Sequence, residues 1–288
     1  PPESFFPDCL SHVMWKRSNR DGRASIQFDQ QADTFDRRAG LPETVCQQVA
    51  RKVADLAELR AGDLLLEVGA GTGLIGCELV RLGFSYVGLD ISRPMLSVFR
   101  KRVEAIHDRQ SALFVADANA RWPVADESAR AVFGSRAFHL LDRRHILDET
   151  LRVGRKRAAF LIGRVARDPN GVAARMRREM RRLLGDRVRA PLGGEERSEH
   201  LIRAFLERGA SPLPPTVAAR WATTRNPRQS LESWRAKQGL AGIDPTPAVK
   251  LEVLSKLQQW AIETFGSLEA MFESEEEYVL EGARLPSR

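Results

Sequence analysis

Three carboxylates and a histidine follow four successive apolar runs in this sequence. Glu67 closes Leu64-Leu65-Leu66 and leads into Val68-Gly69-Ala70-Gly71-Thr72-Gly73, Asp90 ends Tyr86-Val87-Gly88-Leu89, Asp117 follows Ala112 to Ala116, and His139 comes shortly after Ala131 to Ser135. Glycines at such a turn let the backbone approach a ligand without side-chain interference. Asp90, 21 residues beyond Gly69, can accept hydrogen bonds from both hydroxyls of a ribose, and Asp117 can accept from an adenine amino group. Glu67 would repel a pyrophosphate and favour a cation. His139 belongs to the residue type whose unperturbed pKa lies near neutrality, so it can take a proton from a hydroxyl, an amine or an acidic carbon; a histidine packed under a cap explains it equally. Each acid alone could be an ion-pair or turn residue; their recurrence at successive strand ends is the informative feature.

The elements that must position these residues alternate. Val45, Val49, Val53 and Leu56 recur at helical spacing, which predicts a helix from about 42 to 59. The glycine turn lies between a strand and a helix carrying Leu74, Ile75, Leu79 and Val80. Ser92 can cap a helix bearing Met95, Leu96, Phe99, Val103 and Ile106. Helix 143–152 leads to a fifth strand over 158–165. Strands alternating with helices predict a doubly wound α/β fold, a mostly parallel sheet with right-handed crossovers, in which ligands bind at the carboxyl ends of the strands.

Beyond Asp168 the rhythm breaks. Arg- and Leu-rich helices are expected over about 170–208, a connector at Pro212, Pro214 and Pro215, a strand over 217–224, helices near 228–237 and 247–265, and a closing antiparallel strand over 278–285. The resulting division is an N-terminal lid segment at 1–41, a ligand-binding core at 42–166, and a helical cap with the last two strands at 167–288.

Gly71-Thr72-Gly73-Leu74-Ile75-Gly76 also matches GxGxxG, the dinucleotide fingerprint, and Asp90 would serve a nicotinamide dinucleotide as well. Three features favour a sulfonium-bearing adenosine ligand instead: Glu67 where pyrophosphate would be repelled, Asp117 where a nicotinamide cofactor needs no acid, and no hydride-transfer residue pair in FGSRAFHLL at 133–141.

On LLEVGAGTG at 65–73, VGLDISRPML at 87–96, ADANARWPVADESARAVFGSRAFHLL at 116–141 and FDQQADTFDRRAGLP at 28–42, the sequence resembles the class I S-adenosylmethionine-dependent methyltransferases. It is similar in particular to the ubiquinone/menaquinone-biosynthesis C-methyltransferase-like members. The resemblance covers about residues 28–165. It implies a seven-stranded Rossmann-like sheet, S-adenosyl-L-methionine as cofactor, and methyl transfer to a small-molecule acceptor. It also implies that Glu67, Gly69, Ala70, Gly71 and Gly73 hold the methionine portion, Asp90 the ribose, and Asp117 with Ala118 the adenine. Ile91 and Met95 would flank the adenine, Ser135 would join the cofactor-binding set, and residues 28–42 would form a lid bearing Phe28, Phe35 and Arg37.

Composition narrows the rest. The chain of 288 residues is 43% hydrophobic, enough to bury a sizeable core. No apolar run approaches the roughly 20 residues of a membrane span, and no secretory leader is evident, although the sequence opens on Pro1 rather than Met. Cys9, Cys46 and Cys77 are far apart and form no metal-binding pair, so no metal and a cytoplasmic setting are expected. The net charge of +7 gathers in Arg residues between 164 and 203. Arg178 and Arg182 are the candidates for an anionic acceptor, and an RNA substrate is the alternative, although a solvated helix face accounts for the same charge. The loop after the fourth strand lacks the [DN]PP[YF] of adenine-amino enzymes and the acidic cluster of magnesium-dependent diol sites, and a paired-glutamate loop for protein arginine is missing as well. A nicotinamide oxidoreductase and a cofactor-binding scaffold without activity are the remaining alternatives.

Overall fold

The computed structural model describes residues 41–106, 110–185, 194–237, 239–240 and 243–287. Phe28, Phe35 and Arg37, the residues expected in a lid, and the cysteine at position 9 lie outside them. Seven strands form one sheet: β1 Leu64–Val68, β2 Ser85–Asp90, β3 Ser111–Val115, β4 Ala129–Ser135, β5 Gly154–Arg167, β6 Ser211–Arg225 and β7 Phe272–Arg284, in the order β3-β2-β1-β4-β5-β7-β6. β1 to β5 pair in parallel, and β7 runs antiparallel between β5 and β6. The expected closing strand is therefore antiparallel and sits inside the sheet. The chain winds outward from β1 to β3 and returns to place β4 beside β1, which opens a crevice at their carboxyl ends.

Helix α1 (Glu43–Ala57) buries Val45, Val49 and Val53 against one sheet face, together with α2 (Gly76–Arg81) and α3 (Arg93–Ala105). The 3.6-residue spacing of those valines puts them on one stripe. Ser92 caps α3 by accepting from Met95 N, and Pro94 sits in the first turn, where its missing N–H costs no hydrogen bond. On the opposite face, α4 (Arg143–Val153) and α6 (Gly194–Glu207) cover a second core containing Trp122, Phe138, Phe160 and Phe205. A third core joins α5 (Val172–Leu184), α7 (Pro227–Arg235) and α8 (Pro247–Phe265) into the cap.

One expectation changes. Pro212, Pro214 and Pro215 do not form a connector; they lie within β6, which begins at Ser211. β6 is an edge strand, and its register slips between Leu213 and Thr216, so the exposed prolines need supply no ladder donor. Within the expected helical stretch 170–208, α5 buries Val172, Met176, Met180 and Leu184 on one stripe and stops there, where Gly185 takes φ +55°.

Candidate active site

The carboxyl ends of β1, β2 and β4 and the segments that follow them enclose a cavity of 530 Å³, within the range of about 300–1,000 Å³ usual for small-molecule and cofactor sites. Its wall includes Glu67, Gly69, Ala70, Gly71, Asp90, Ile91, Met95, Asp117, Ala118, Ser135 and His139. One concave site thus gathers residues from four separate strand ends.

The glycine turn is folded back on β2: Gly69 N–H and Ala70 N–H both donate to the Leu89 carbonyl, at 2.8 and 2.9 Å. Gly69 takes φ +75°, and a Cβ there would meet Ala137 Cβ at 2.4 Å, so the turn and the segment after β4 approach only because glycine is present. Asp90 secures the same turn from below. Its Oδ2 accepts from Gly71 N–H and its Oδ1 from Ser92 N–H, each at 2.8 Å. Asp90 also lines the cavity.

Glu67 is buried at 2% exposure and accepts from Tyr86 Oη at 2.5 Å. β1 and β2 pair Glu67 with Gly88, whose missing side chain leaves room for the Tyr86 ring to lean across. Burial pushes the Glu67 carboxyl up to about 8; the Tyr86 hydrogen bond opposes that rise and the Asp90 charge adds to it. A carboxylate that has given up water so completely gains from a cation placed beside it.

Asp117 Oδ1 accepts from Asn119 N–H at 2.9 Å, a turn that presents the rest of the carboxylate to the cavity. Asn119 in turn accepts from Asp142 N–H at 2.8 Å, tying the loop after β3 to the start of α4. Beyond β4, Ser135 Oγ accepts from the buried Tyr278 hydroxyl at 2.6 Å. His139 follows on a single 3-10 turn, Phe138–Leu140, where it is exposed at the cavity wall. His145, by contrast, serves the scaffold, its Nε2 lying 2.9 Å from the Ala120 carbonyl.

Three of the sequence candidates stand elsewhere. Gly73 is absent from the cavity wall: at φ +78° a Cβ there would meet Phe99 Cδ2 at 2.2 Å, so this glycine admits the α3 core rather than a ligand. Arg178 and Arg182 are exposed on α5 and also stand apart from the cavity wall, Arg178 donating to the Pro169 carbonyl and Arg182 pairing with Glu179 at 2.6 Å. The sequence reading overlooked Tyr86, Asn119, Arg136, Leu140 and Leu141. A polar residue one step beyond a strand end was the available signal for Arg136. It could not disclose that this residue takes φ +58°, which decides where its side chain goes.

Residues 65–157 match a family described as "Methyltransferase domain". The chain is 34% identical over 140 residues to demethylmenaquinone methyltransferase of Clavibacter sepedonicus, covering 47% of this chain and 55% of that protein. It is 26% identical over 181 residues to 27-O-demethylrifamycin SV methyltransferase of Amycolatopsis mediterranei, covering 60% and 64%. The chain therefore spans between about half and two thirds of the length of these curated relatives. Among solved structures, YcgJ of Bacillus subtilis superposes with a TM-score of 0.53 at 16% identity, covering 86% of this chain and all of that one, which shows the shared fold.

Proposed function

We propose that this chain, whose residues 65–157 match a methyltransferase domain, transfers a methyl group from S-adenosyl-L-methionine to a small-molecule acceptor. One observation carries the reading: Glu67, Asp90 and Asp117, at the ends of three successive strands, line a single cavity floored by a glycine turn. Fold alone would not license it, since the same architecture hosts unrelated chemistry.

The residues fit the cofactor. Glu67, buried at the cavity, would meet the cationic methionine end, Asp90 would accept from the ribose hydroxyls, and Asp117 would accept from the adenine amino group, with Ile91 and Met95 giving it apolar contact. Gly69, Ala70 and Gly71 keep side-chain bulk away from it, and Ala118 and Ser135 complete the set. When bound, the cofactor supplies a sulfonium-activated methyl group and leaves as S-adenosylhomocysteine. The acceptor would lie beyond Ser135, where Leu140 and Leu141 give the cavity an apolar wall and where holding the two reactants in line would be the main demand of the reaction. His139 stands at that wall and takes the proton released by a hydroxyl, amine or carbon acceptor.

No helix among the described residues is long and apolar enough to cross a membrane. Cys46 and Cys77 are buried as thiols, which supports a reducing, cytoplasmic setting. Equilibrium calorimetry tests the reading: S-adenosylmethionine and S-adenosylhomocysteine should bind the parent protein and NADH should not. Binding of NADH alone would return the glycine turn to the oxidoreductase alternative. For an RNA acceptor, affinity for RNA would be expected to fall steeply with added salt.

A further inference from the structure

Resting on the methyl-transfer reading, we propose that the acceptor is an anion whose carboxylate or phosphate is received by Arg136, at the end of the cavity beyond Ser135. Arg136 lines the cavity, half-buried, immediately after β4. Its backbone is left-handed, φ +58°, and is held so by its N–H donating to the Gly163 carbonyl of β5 at 3.0 Å. A non-glycine residue stays in that region only where its surroundings impose it, and such positions cluster at functional sites.

Arg136 is the one guanidinium on the cavity wall among the described residues, and a row of polar residues crosses the sheet further along β5, β7 and β6. The register of β5, β7 and β6 sets Arg167, Glu276 and Trp221 in one row across the sheet, two residues from Tyr278, whose hydroxyl reaches Ser135. Glu276 is buried and is shared by two guanidiniums, Arg167 and Arg225, each at 3.4 Å. Its neighbours Glu275 and Glu277 point to the other face, where they pair with Arg220. Trp221 Nε1 and Arg225 Nε are buried donors with no acceptor. Desolvation lowers the pKa of Arg136, and the Arg167 charge lowers it further. A guanidinium held so at the cavity wall favours a group able to accept from it in two-point fashion. The apolar wall at Leu140 and Leu141 would then take the rest of the acceptor.

The test uses inorganic phosphate and benzoate as separate probes, titrated by calorimetry and thermal shift into the protein saturated with S-adenosylhomocysteine. One of the two should bind the parent, which also tells phosphate from carboxylate, and Arg136→Gln should weaken it about ten-fold, the loss expected for one charge-assisted contact. Arg136→Lys, which keeps the charge but loses the two-point fork, should give a smaller loss and supplies the measurement if Arg136→Gln does not fold. Failure of both anions to bind the parent, or equal affinity in the variants, overturns the proposal. Should S-adenosylhomocysteine not bind the parent, the methyl-transfer reading fails on its own, and the same titration of the unliganded protein still decides the anion site.

Discussion

Tyr86 donates its hydroxyl hydrogen to Glu67 Oε2 across 2.5 Å, and both residues are sealed from solvent beneath the glycine turn. The pair gives a carboxyl group raised to about 8 a fixed orientation at the floor of the cavity. Near pH 7 that group is mostly protonated while no cation is present. Binding S-adenosylmethionine should therefore release a proton. Calorimetry at pH 7 in buffers of different ionisation enthalpy should report release of a sizeable fraction of one proton, and Glu67→Gln should abolish it. Equal heats in all buffers would remove Glu67 from the cationic end of the ligand.

The same shift has a consequence for stability. Because folding raises the pKa of Glu67 from 4.5 to about 8, its contribution is complete below about pH 4.5 and is lost as the pH climbs towards 8, at on the order of 1.4 kcal/mol per pH unit. Glu67→Gln should flatten that slope. Urea titrations at pH 5 and pH 9 should show the variant gaining on the parent at the higher pH; parallel losses would contradict the linkage.

Asp90 ties together the turn and the entry to α3 through Gly71 N–H and Ser92 N–H. Asp90→Ala should weaken S-adenosylhomocysteine by roughly ten- to a hundred-fold, since charge-assisted hydrogen bonds contribute about 1.5–3 kcal/mol. It should also lower the melting temperature, because two backbone donors lose their acceptor. Unchanged affinity in a folded variant would exclude Asp90 from the ribose site.

Gly71 and Gly73 should separate under substitution. Gly73→Ala drives a methyl into the Phe99 ring and should cost about 2 kcal/mol or more of stability, partly recovered by Phe99→Leu. At Gly71 a Cβ meets nothing within 4 Å, so Gly71→Ala should cost only about 1–2 kcal/mol of backbone strain and show its main effect on cofactor affinity. Denaturation and calorimetry on the two variants make the comparison, and indistinguishable profiles would dissolve the distinction.

His139 is exposed on its 3-10 turn, so His139→Gln should fold normally. Once an acceptor is in hand, kcat should fall by about a hundred-fold or more if the imidazole is the base, with the Michaelis constant for the cofactor nearly unchanged. A kcat equal to that of the parent would show that positioning alone suffices.

The alternating apolar runs and the acids that end them were legible along the chain, because a strand-turn-helix unit writes its period and its glycines into adjacent residues. That local grammar located Glu67, Asp90, Asp117 and His139, and the cavity gathers all four. Helix α8 could likewise be read to its ends from Pro247 to Phe265. Tertiary structure decided what depends on residues far apart. Gly73 belongs to a glycine motif by spacing, yet Phe99 on α3 determines what it is for. The prolines of β6 signal a break in any local reading, and only their place at the sheet edge makes a strand of them. Arg178 and Arg182 carry the same charge as Arg136, but α5 turns them to solvent, whereas the left-handed backbone after β4 turns Arg136 into the cavity wall. Spacing determines which residues share an element. Which of them share a cavity is set by the packing of elements that the chain brings together from a distance.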